Sequence, residues 1–248
     1  MLNHKIIAIF GNHASGKTTL ATQLALYLKK QNPDKNVLII GLDNTTPSIP
    51  LLFPNDTTSS NISLGKTLSK IVLDQSALLE NIKLSSDKVA VLGYNMNENA
   101  NTYAAPTQER YDDFYLQARH MVDICIIDCT SDIRYSTATA RAIANADFTI
   151  ELLTAGVNGI VWDASQTSLL LHQDYNFNNF LRYITIKDSF NYDIEALKNC
   201  HGKIFGVINN HENLNVLLQN GELIKTLHKP YIHDLKDIIS KIKEQDND

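Results

Sequence analysis

The sequence is poor in cysteine and has no long apolar run. Its 248 residues include three cysteines, Cys125, Cys129 and Cys200. An odd number, in a chain long enough to bury its own core, predicts reduced thiols and no disulfide framework. No apolar stretch approaches the roughly 20 residues that cross a bilayer, and no secretory leader precedes the first predicted strand. We therefore expect a soluble cytoplasmic protein, with at most peripheral contact to a membrane.

The chain also lacks an excess of positive charge. It carries 22 Lys and Arg against 27 Asp and Glu, a formal net charge of −5. Bulk nucleic-acid binding relies on a basic surface that displaces counterions from phosphates, so this balance disfavours DNA as a partner without excluding a local basic patch. The eight histidines form no H-E-x-x-H pattern. Cys125 and Cys129 have no second pair or nearby histidine to complete a metal site, which favours buried thiols.

Short β-branched runs alternate with helical stretches along the chain. Strands buried on both faces and alternating with helices indicate an α/β fold, a doubly wound, mostly parallel sheet with helices on both faces. No linker or repeat divides the sequence, so we expect a single domain over residues 1–248. The predicted strands are residues 5–10, 37–40, 89–92, 124–127, 148–152 and 203–208, and the predicted helices are residues 18–30, 64–84, 106–120, 137–146 and 157–172.

Two segments leave alternatives open. Residues 183–186, within the irregular stretch 175–193, fit an extra strand or part of an interaction surface. Residues 231–244 place apolar side chains on one helical face with lysines nearby. That pattern fits a last helix packed on the sheet, which we favour, or an amphipathic helix that binds a membrane. The acidic residues of this segment weaken attraction to anionic lipid.

An unbroken phosphate-loop motif follows the first predicted strand. Gly11-Asn12-His13-Ala14-Ser15-Gly16-Lys17-Thr18 matches G-x-x-x-x-G-K-[ST] and immediately precedes a predicted helix, the context that the motif requires. Backbone N–H groups of such a loop converge on phosphate oxygens at the positive end of the helix dipole. We expect this P-loop to bind ATP, or else GTP, with Mg²⁺. Lys17 would bind the β- and γ-phosphates, Thr18 would ligate magnesium, and Thr19 would contact the α-phosphate. His13 would lie beside the γ-phosphate or point to solvent.

Two carboxylates are candidates for the magnesium shell. Residues 122–128, VDICIID, form an apolar strand that ends in Asp128, as a Walker B strand does. Asp43 follows the strand at residues 37–40 and is placed to bind the metal or to orient the attacking water. Because the carboxyl ends of parallel strands meet at one edge of a sheet, we expect both carboxylates near Lys17.

Together these motifs resemble the MinD/ParA group of P-loop ATPases. Residues 37–49, VLIIGLDNTTPSI, are similar to the group's second motif, and residues 126–130, IIDCT, to its I-I-D-x-[TP]. Residues 142–153 resemble the following helix and strand, and residues 205–210 resemble the strand that ends in an adenine-recognising asparagine. The resemblance covers residues 5–210. It implies a slow ATP- and Mg²⁺-dependent switch ATPase, a nucleotide-dependent homodimer, a protein partner, and a base contact from Asn209.

Two residues depart from the group's pattern. Asn12 stands where many members carry a second lysine that reaches the partner's nucleotide, and Gly41 replaces the first aspartate of the second motif. Similar departures occur in the CpaE/TadZ branch, which places pilus and secretion machinery. The leading hypothesis is therefore a switch that positions or assembles a pilus or conjugative secretion system. The alternatives are a catalytically weak or inactive nucleotide-binding scaffold and a plasmid or chromosome partition ATPase.

Overall fold

One eight-stranded sheet organises the computed structural model, which describes residues 2–53, 62–187 and 192–247. Its strands are β1 (Lys5–Gly11), β2 (Val37–Gly41), β3 (Lys83–Leu84), β4 (Ala90–Gly93), β5 (Ile124–Asp128), β6 (Phe148–Thr154), β7 (Leu181–Lys187) and β8 (Gly206–Asn210). They lie in the order β3-β4-β2-β5-β1-β6-β7-β8. Only the short β3 runs antiparallel to its neighbour among these strands. The order places β1 centrally, with crossovers to either side.

Helices cover both faces of this sheet. They are α1 (Lys17–Gln31), α2 (Ile49–Leu52), α3 (Leu64–Ser69), α4 (Gln75–Leu79), α5 (Gln108–Met121), α6 (Thr137–Asn145), α7 (Val157–Leu170), α8 (Ile194–His201), α9 (Glu212–Gln219) and α10 (Ile232–Asn247). Two apolar clusters result, one including side chains of α1 and α10 and the other including side chains of α5 and α6. The predicted doubly wound fold is confirmed.

Strand β1 shows how the sequence produces these two layers. Side chains alternate across a strand, so a strand buried on both faces must be apolar at every position. Ile7 and Ile9 pack into the cluster with α1, whereas Ile6, Ala8 and Phe10 pack into the cluster with α5. All five are fully buried. The continuous apolar run within residues 5–10, which predicted a strand, therefore forms a central strand that is buried on both faces.

The predicted helix over residues 64–84 is wrong. The chain forms α3, an extended residue at Lys70, then α4 and the short strand β3. Asp74 ends the connection by accepting a hydrogen bond from the Ala77 backbone N–H, as the N-cap of α4. A side chain that caps the start of a second helix favours ending the first helix before it. The spacing of apolar residues did not reveal this cap, so it predicted one continuous helix.

The extra strand proposed within residues 175–193 is confirmed as β7. It pairs in parallel with both β6 and β8. One-turn 3₁₀ helices precede it at Gln173–Tyr175 and Phe177–Asn179, and residues 188–191 of this stretch lie outside the described residues. The strand expected at residues 203–208 is displaced to Gly206–Asn210, where it forms β8.

The last helix packs on the sheet, as the favoured interpretation predicts. Leu235, Ile238, Ile239 and Ile242 of α10 are buried in the apolar cluster that includes α1. The face that an amphipathic membrane helix would present to lipid is thus already covered. Within the described residues, none of the helices is long and apolar enough to span a bilayer.

A buried charge network joins β6, β7, α7 and α8. Arg182 donates from Nε to Glu151 and from Nη2 to Asp163, each over 2.5 Å. His201 Nδ1 lies 2.7 Å from the second oxygen of Asp163. All four side chains are buried. Burial raises the pKa of Glu151 to about 7, although the Arg182 charge opposes the shift.

This network predicts a specific pH dependence of stability. The pKa of Glu151 rises from 4.5 to about 7 on folding, so the native chain holds this proton more tightly than the unfolded chain. The resulting stabilisation is complete below pH 4.5 and is lost as the pH rises through 7. Glu151→Gln removes the titration. Between those pH values, the difference in unfolding free energy between parent and variant should change by about 3 kcal/mol.

Urea denaturation of both chains at several pH values measures this difference. Carboxyl groups outside the network titrate equally in the two proteins, so the difference reports Glu151 and its coupling to Asp163. A difference that stays constant across the range would show that Glu151 is not held protonated in the native state.

Candidate functional site

The phosphate loop connects β1 to α1 at the carboxyl edge of the sheet. Gly16 adopts a left-handed conformation with φ of 89° and precedes α1 directly. A Cβ atom on Gly11 would lie 2.1 Å from the carbonyl oxygen of Leu152, because β6 passes close to the loop. These two glycines allow the backbone to turn tightly between strand and helix, which presents its N–H groups to an anion.

An open cleft of about 320 Å³ lies over this loop. Its walls come from the loop, from the segments after β2 and β5, and from α9. The lining residues are His13, Ala14, Ser15, Gly16, Lys17, Thr18, Thr19, Asp43, Thr46, Ser48, Leu51, Asp128, Cys129, Thr130, Ser131, Asn210, Asn215 and Leu218. A cleft at the carboxyl ends of the strands, where the strand order reverses, is the usual ligand site of a doubly wound sheet.

Lys17 is held by oxygen atoms on three sides. Its Nζ donates to the carbonyl of Gly11 over 3.1 Å, to the carbonyl of Asn12 over 2.9 Å and to Ser131 Oγ over 2.8 Å. Burial lowers the pKa of Lys17, while the nearby Asp128 carboxylate opposes the shift. The ammonium group is therefore fixed at the mouth of the loop, where the phosphates of a bound nucleotide would lie.

Thr18 and Asp128 meet directly beneath the loop. The Thr18 hydroxyl donates to Asp128 Oδ2 over 2.6 Å, and Ser48 donates to the same oxygen over 3.2 Å. Burial raises the pKa of Asp128, although the hydrogen bonds and the Lys17 charge act against it. A hydroxyl and a carboxylate in contact form the oxygen-rich pair that magnesium prefers in nucleotide sites.

Asp43 lies in the loop after β2 and faces the same cleft. Its Oδ1 accepts from the backbone N–H groups of Thr45 and Thr46, each over 2.8 Å, which fixes the turn. The preceding Gly41 is required by packing, because a Cβ atom there would lie 2.6 Å from Cγ1 of Ile49 on α2. An aspartate at position 41 would therefore force the Ile49 side chain to move.

Asn12 points into the protein. Its amide nitrogen donates to Thr154 Oγ1 over 2.7 Å, and its amide oxygen accepts from the Thr154 backbone N–H over 2.9 Å. The residue is 4% exposed. Asn12 thus ties the phosphate loop to the end of β6, and its amide is not directed toward a second molecule.

One buried hydroxyl in the loop lacks a partner within the described residues. Ser15 is completely buried, yet its Oγ makes no hydrogen bond. Unsatisfied buried polar atoms are uncommon in native structures and often belong to a ligand site. With Lys17 and the Thr18–Asp128 pair beside it, this hydroxyl fits a nucleotide phosphate and its magnesium ion.

The structure brings most of the predicted site together. The predicted residues from His13 to Thr19 line the cleft with Asp43 and Asp128. Gly11 and Asn12 support the loop from behind, and Asn209 is not among the described lining residues, whereas its neighbour Asn210 is. Sequence reasoning missed Ser131, Asn210 and Asn215. The adjacency of Ser131 to the Asp128 strand could have indicated the first, and the resemblance of residues 205–210, which ends at Asn210, could have indicated the second.

Two of the three cysteines are buried thiols. Cys125 and Cys129 are buried and free, as expected, and burial raises the pKa of both thiols. Over residues 2–53, 62–187 and 192–247, no group of three or more His, Cys, Asp or Glu is placed to hold a metal ion.

Solved structures share this fold over nearly the whole chain. A ParA family ATPase from Chlorobium tepidum TLS superposes with a TM-score of 0.76 at 15% identity, covering 94% of this chain and 98% of its own. MinD from Aquifex aeolicus gives 0.71 at 17% identity, covering 98% and 97%. The septum site-determining protein MinD from Pyrococcus horikoshii OT3, solved with Mg-ADP, gives 0.65 at 17% identity, covering 97% and 95%.

These similarities confirm the fold that the sequence motifs predicted. The chain has the architecture of MinD and ParA ATPases, and at these identities the likeness establishes the architecture alone. No protein-family model and no curated protein sequence matches the chain.

Proposed function

We propose that this protein is an ATP- and Mg²⁺-dependent switch ATPase. The proposal depends chiefly on one observation: Lys17, Thr18 and Asp128 converge at the phosphate loop in the MinD/ParA fold. The structure of MinD with Mg-ADP supports an adenine nucleotide and magnesium as the ligands of a site with this architecture. Such an enzyme would cleave the γ-phosphate of ATP slowly and change partners when it does so.

The residues of the cleft have distinct roles in this proposal. Lys17 and the loop amides, with Ser15, bind the phosphates, and Thr19 contacts the α-phosphate. Thr18 and Asp128 would hold magnesium, with Asp43 nearby, and bound magnesium neutralises negative charge on the transferring phosphate. Asp43 orients the attacking water. Asn209, or Asn210 on the cleft wall, contacts the base.

The cellular role that we propose is positioning or assembly of a machine such as a pilus or a conjugative secretion system. The departures at positions 12 and 41 are similar to those of the CpaE/TadZ branch, which supports this role. A positioning role is also in keeping with MinD, which is described as septum site-determining. A nucleotide-dependent homodimer and a protein partner belong to this proposal. DNA partition is a weaker fit, because the net charge is −5.

A non-hydrolysing scaffold is the second candidate, and the orientation of Asn12 favours it. Catalysis of phosphoryl transfer depends on positive charge placed at the developing negative charge. Asn12 carries no charge, and Thr154 occupies both polar groups of its side chain. Without a cation supplied by a partner, the chain would bind ATP but would not hydrolyse it.

Replacing Asp43 with alanine tests the proposed chemistry. We expect Asp43→Ala to bind ATP within about threefold of the parent but to release phosphate at least about 10-fold more slowly, because the water loses its orienting carboxylate. Phosphate release and nucleotide affinity are measured on the same preparations, with Asp34→Ala as an exposed aspartate control. Unchanged turnover in Asp43→Ala would remove this residue from the mechanism, and absence of turnover in the parent would favour the scaffold.

A further inference from the structure

A second cleft lies at the opposite edge of the sheet from the nucleotide site. It has a volume of about 490 Å³ and is formed by the end of α1, the hairpin loop between β3 and β4, and the segment after α9. Since α1 starts at the phosphate loop and rises 1.5 Å per residue, its 15 residues place this cleft about 20 Å from the nucleotide phosphates.

Lysines dominate the charge of this second cleft. Lys29 and Lys30 come from α1, Lys88 from the hairpin loop and Lys225 from the segment after α9, with Asp87 as the one acidic lining residue. Across the described residues, none of these four lysines forms an ion pair, although Lys29 donates to the carbonyl of Lys35. Lysines in the last turn of a helix are expected from the helix dipole, but this does not account for Lys88 and Lys225. Like charges thus converge from three segments of a chain whose net charge is −5.

Lys88 occupies a backbone conformation that lysine rarely adopts. Its φ is 59°, in the left-handed region where glycine and asparagine are favoured. The turn is closed by hydrogen bonds from the backbone N–H of Lys88 to the carbonyl of Ser85 and from Ser85 to the carbonyl of Val89. This strained turn places Lys88 at the cleft beside the other three lysines.

The segment that carries Lys225 is fixed to α1. Gln23, fully buried, donates to the carbonyls of Leu223 and Thr226 and accepts from the backbone N–H of His228. This anchoring holds Lys225 opposite the end of α1 and reduces the ordering that a ligand would have to impose.

We propose that the lysine cleft binds a soluble small molecule that carries two or more phosphate groups and an apolar part. The four lysines supply the positive charge for the phosphates. Leu26, Leu227 and Pro33 provide apolar lining for the remainder of the ligand. The volume is in the range of small-molecule sites, and a concave surface fits a compact anion better than a flat bilayer.

Calorimetric titration with inorganic pyrophosphate tests this site in the full chain. The phosphate loop is first saturated with AMPPNP and magnesium, so that it does not take up the probe. We expect the parent to bind one further equivalent, and Lys88→Gly and Lys225→Gln each to weaken that binding about fivefold, as loss of one exposed charge would. Lys236→Gln, an exposed lysine of α10, should bind as the parent does.

Lys88→Gly distinguishes a loss of pyrophosphate binding from a loss of folding stability. Glycine adopts a φ of 59° without strain, so Lys88→Gly should melt at or above the temperature of the parent. AMPPNP affinity should be unchanged in all three variants, which distinguishes failure of this site from failure of the nucleotide site. The proposal is wrong if the parent takes up no further pyrophosphate at millimolar concentration, or if Lys88→Gly and Lys225→Gln bind like the parent. Lysine-dependent binding of duplex DNA or anionic phosphatidylglycerol vesicles, without pyrophosphate binding, would equally overturn it.

Discussion

Replacing Lys17 with alanine should lower the affinity for ATP by about 30-fold or more. Removal of a desolvated charge that pairs with a ligand charge typically costs 2–5 kcal/mol of binding free energy, and each 1.4 kcal/mol is a factor of 10. Among the described residues, Lys17 is the one Lys or Arg that lines the cleft over the phosphate loop. Its Nζ is already fixed by Gly11, Asn12 and Ser131, so little ordering is needed when phosphate replaces these contacts.

Fluorescent ATP titration measures this loss. Lys236→Ala is the matched control, because Lys236 is an exposed lysine on α10 and is not among the residues that line the cleft. Circular dichroism of Lys17→Ala should match that of the parent, since the side chain contributes no apolar core contact. If Lys17→Ala binds ATP as tightly as the parent, the phosphate loop is not the nucleotide site.

Arg182→Leu should destabilise the fold by about 3–5 kcal/mol. Arg182 pairs with Glu151 and Asp163 in the interior, and removal of one partner from a buried ion pair leaves an uncompensated charge. Protonation of Glu151, whose pKa is about 7, relieves part of this cost at acidic pH. The loss should therefore be larger at pH 8 than at pH 5.

Chemical denaturation of Arg182→Leu and of Arg134→Leu gives the comparison. Arg134 is exposed, so the same change of residue type should alter the unfolding free energy by less than about 0.5 kcal/mol there. A loss below about 1 kcal/mol for Arg182→Leu would mean that the three charges are not energetically coupled as the geometry indicates.

The fold was largely predictable because its strongest signals are local. Continuous apolar runs produced β1, β2 and β5, and the phosphate-loop motif fixed the direction of the chain between β1 and α1. The Asp128 strand followed from the same pattern. Local periodicity did not predict the break between α3 and α4. Helix α3 ends with Lys70 as its C-cap, and the Asp74 side chain caps the start of α4.

Long-range contacts account for the site features that the sequence did not reveal. The pairing of Asn12 with Thr154 joins residues 142 positions apart, and no motif marks Thr154 as its partner. Ser131 and Asn215 reach the cleft only because β5 and β8 end at the same edge as β1. The charge network around Arg182 has the same origin, since Glu151 and Arg182 are register partners on adjacent strands.

The structure also gives physical reasons for both departures from the MinD/ParA pattern. Ile49 of α2 occupies the space that an aspartate at position 41 would need. At position 12, the side chain secures the phosphate loop to β6 and is buried. A dimer built on a lysine from this position is therefore not available to this chain, and any homodimer must use other contacts.

Phosphate release and molecular mass, followed in the same samples of purified protein with ATP and magnesium, test the proposed switch. We expect slow release above the Lys17→Ala background, and a species of twice the monomer mass that forms with ATP and disappears as ADP accumulates. ATP binding without phosphate release above that background would contradict a switch ATPase and identify the chain as a nucleotide-binding scaffold.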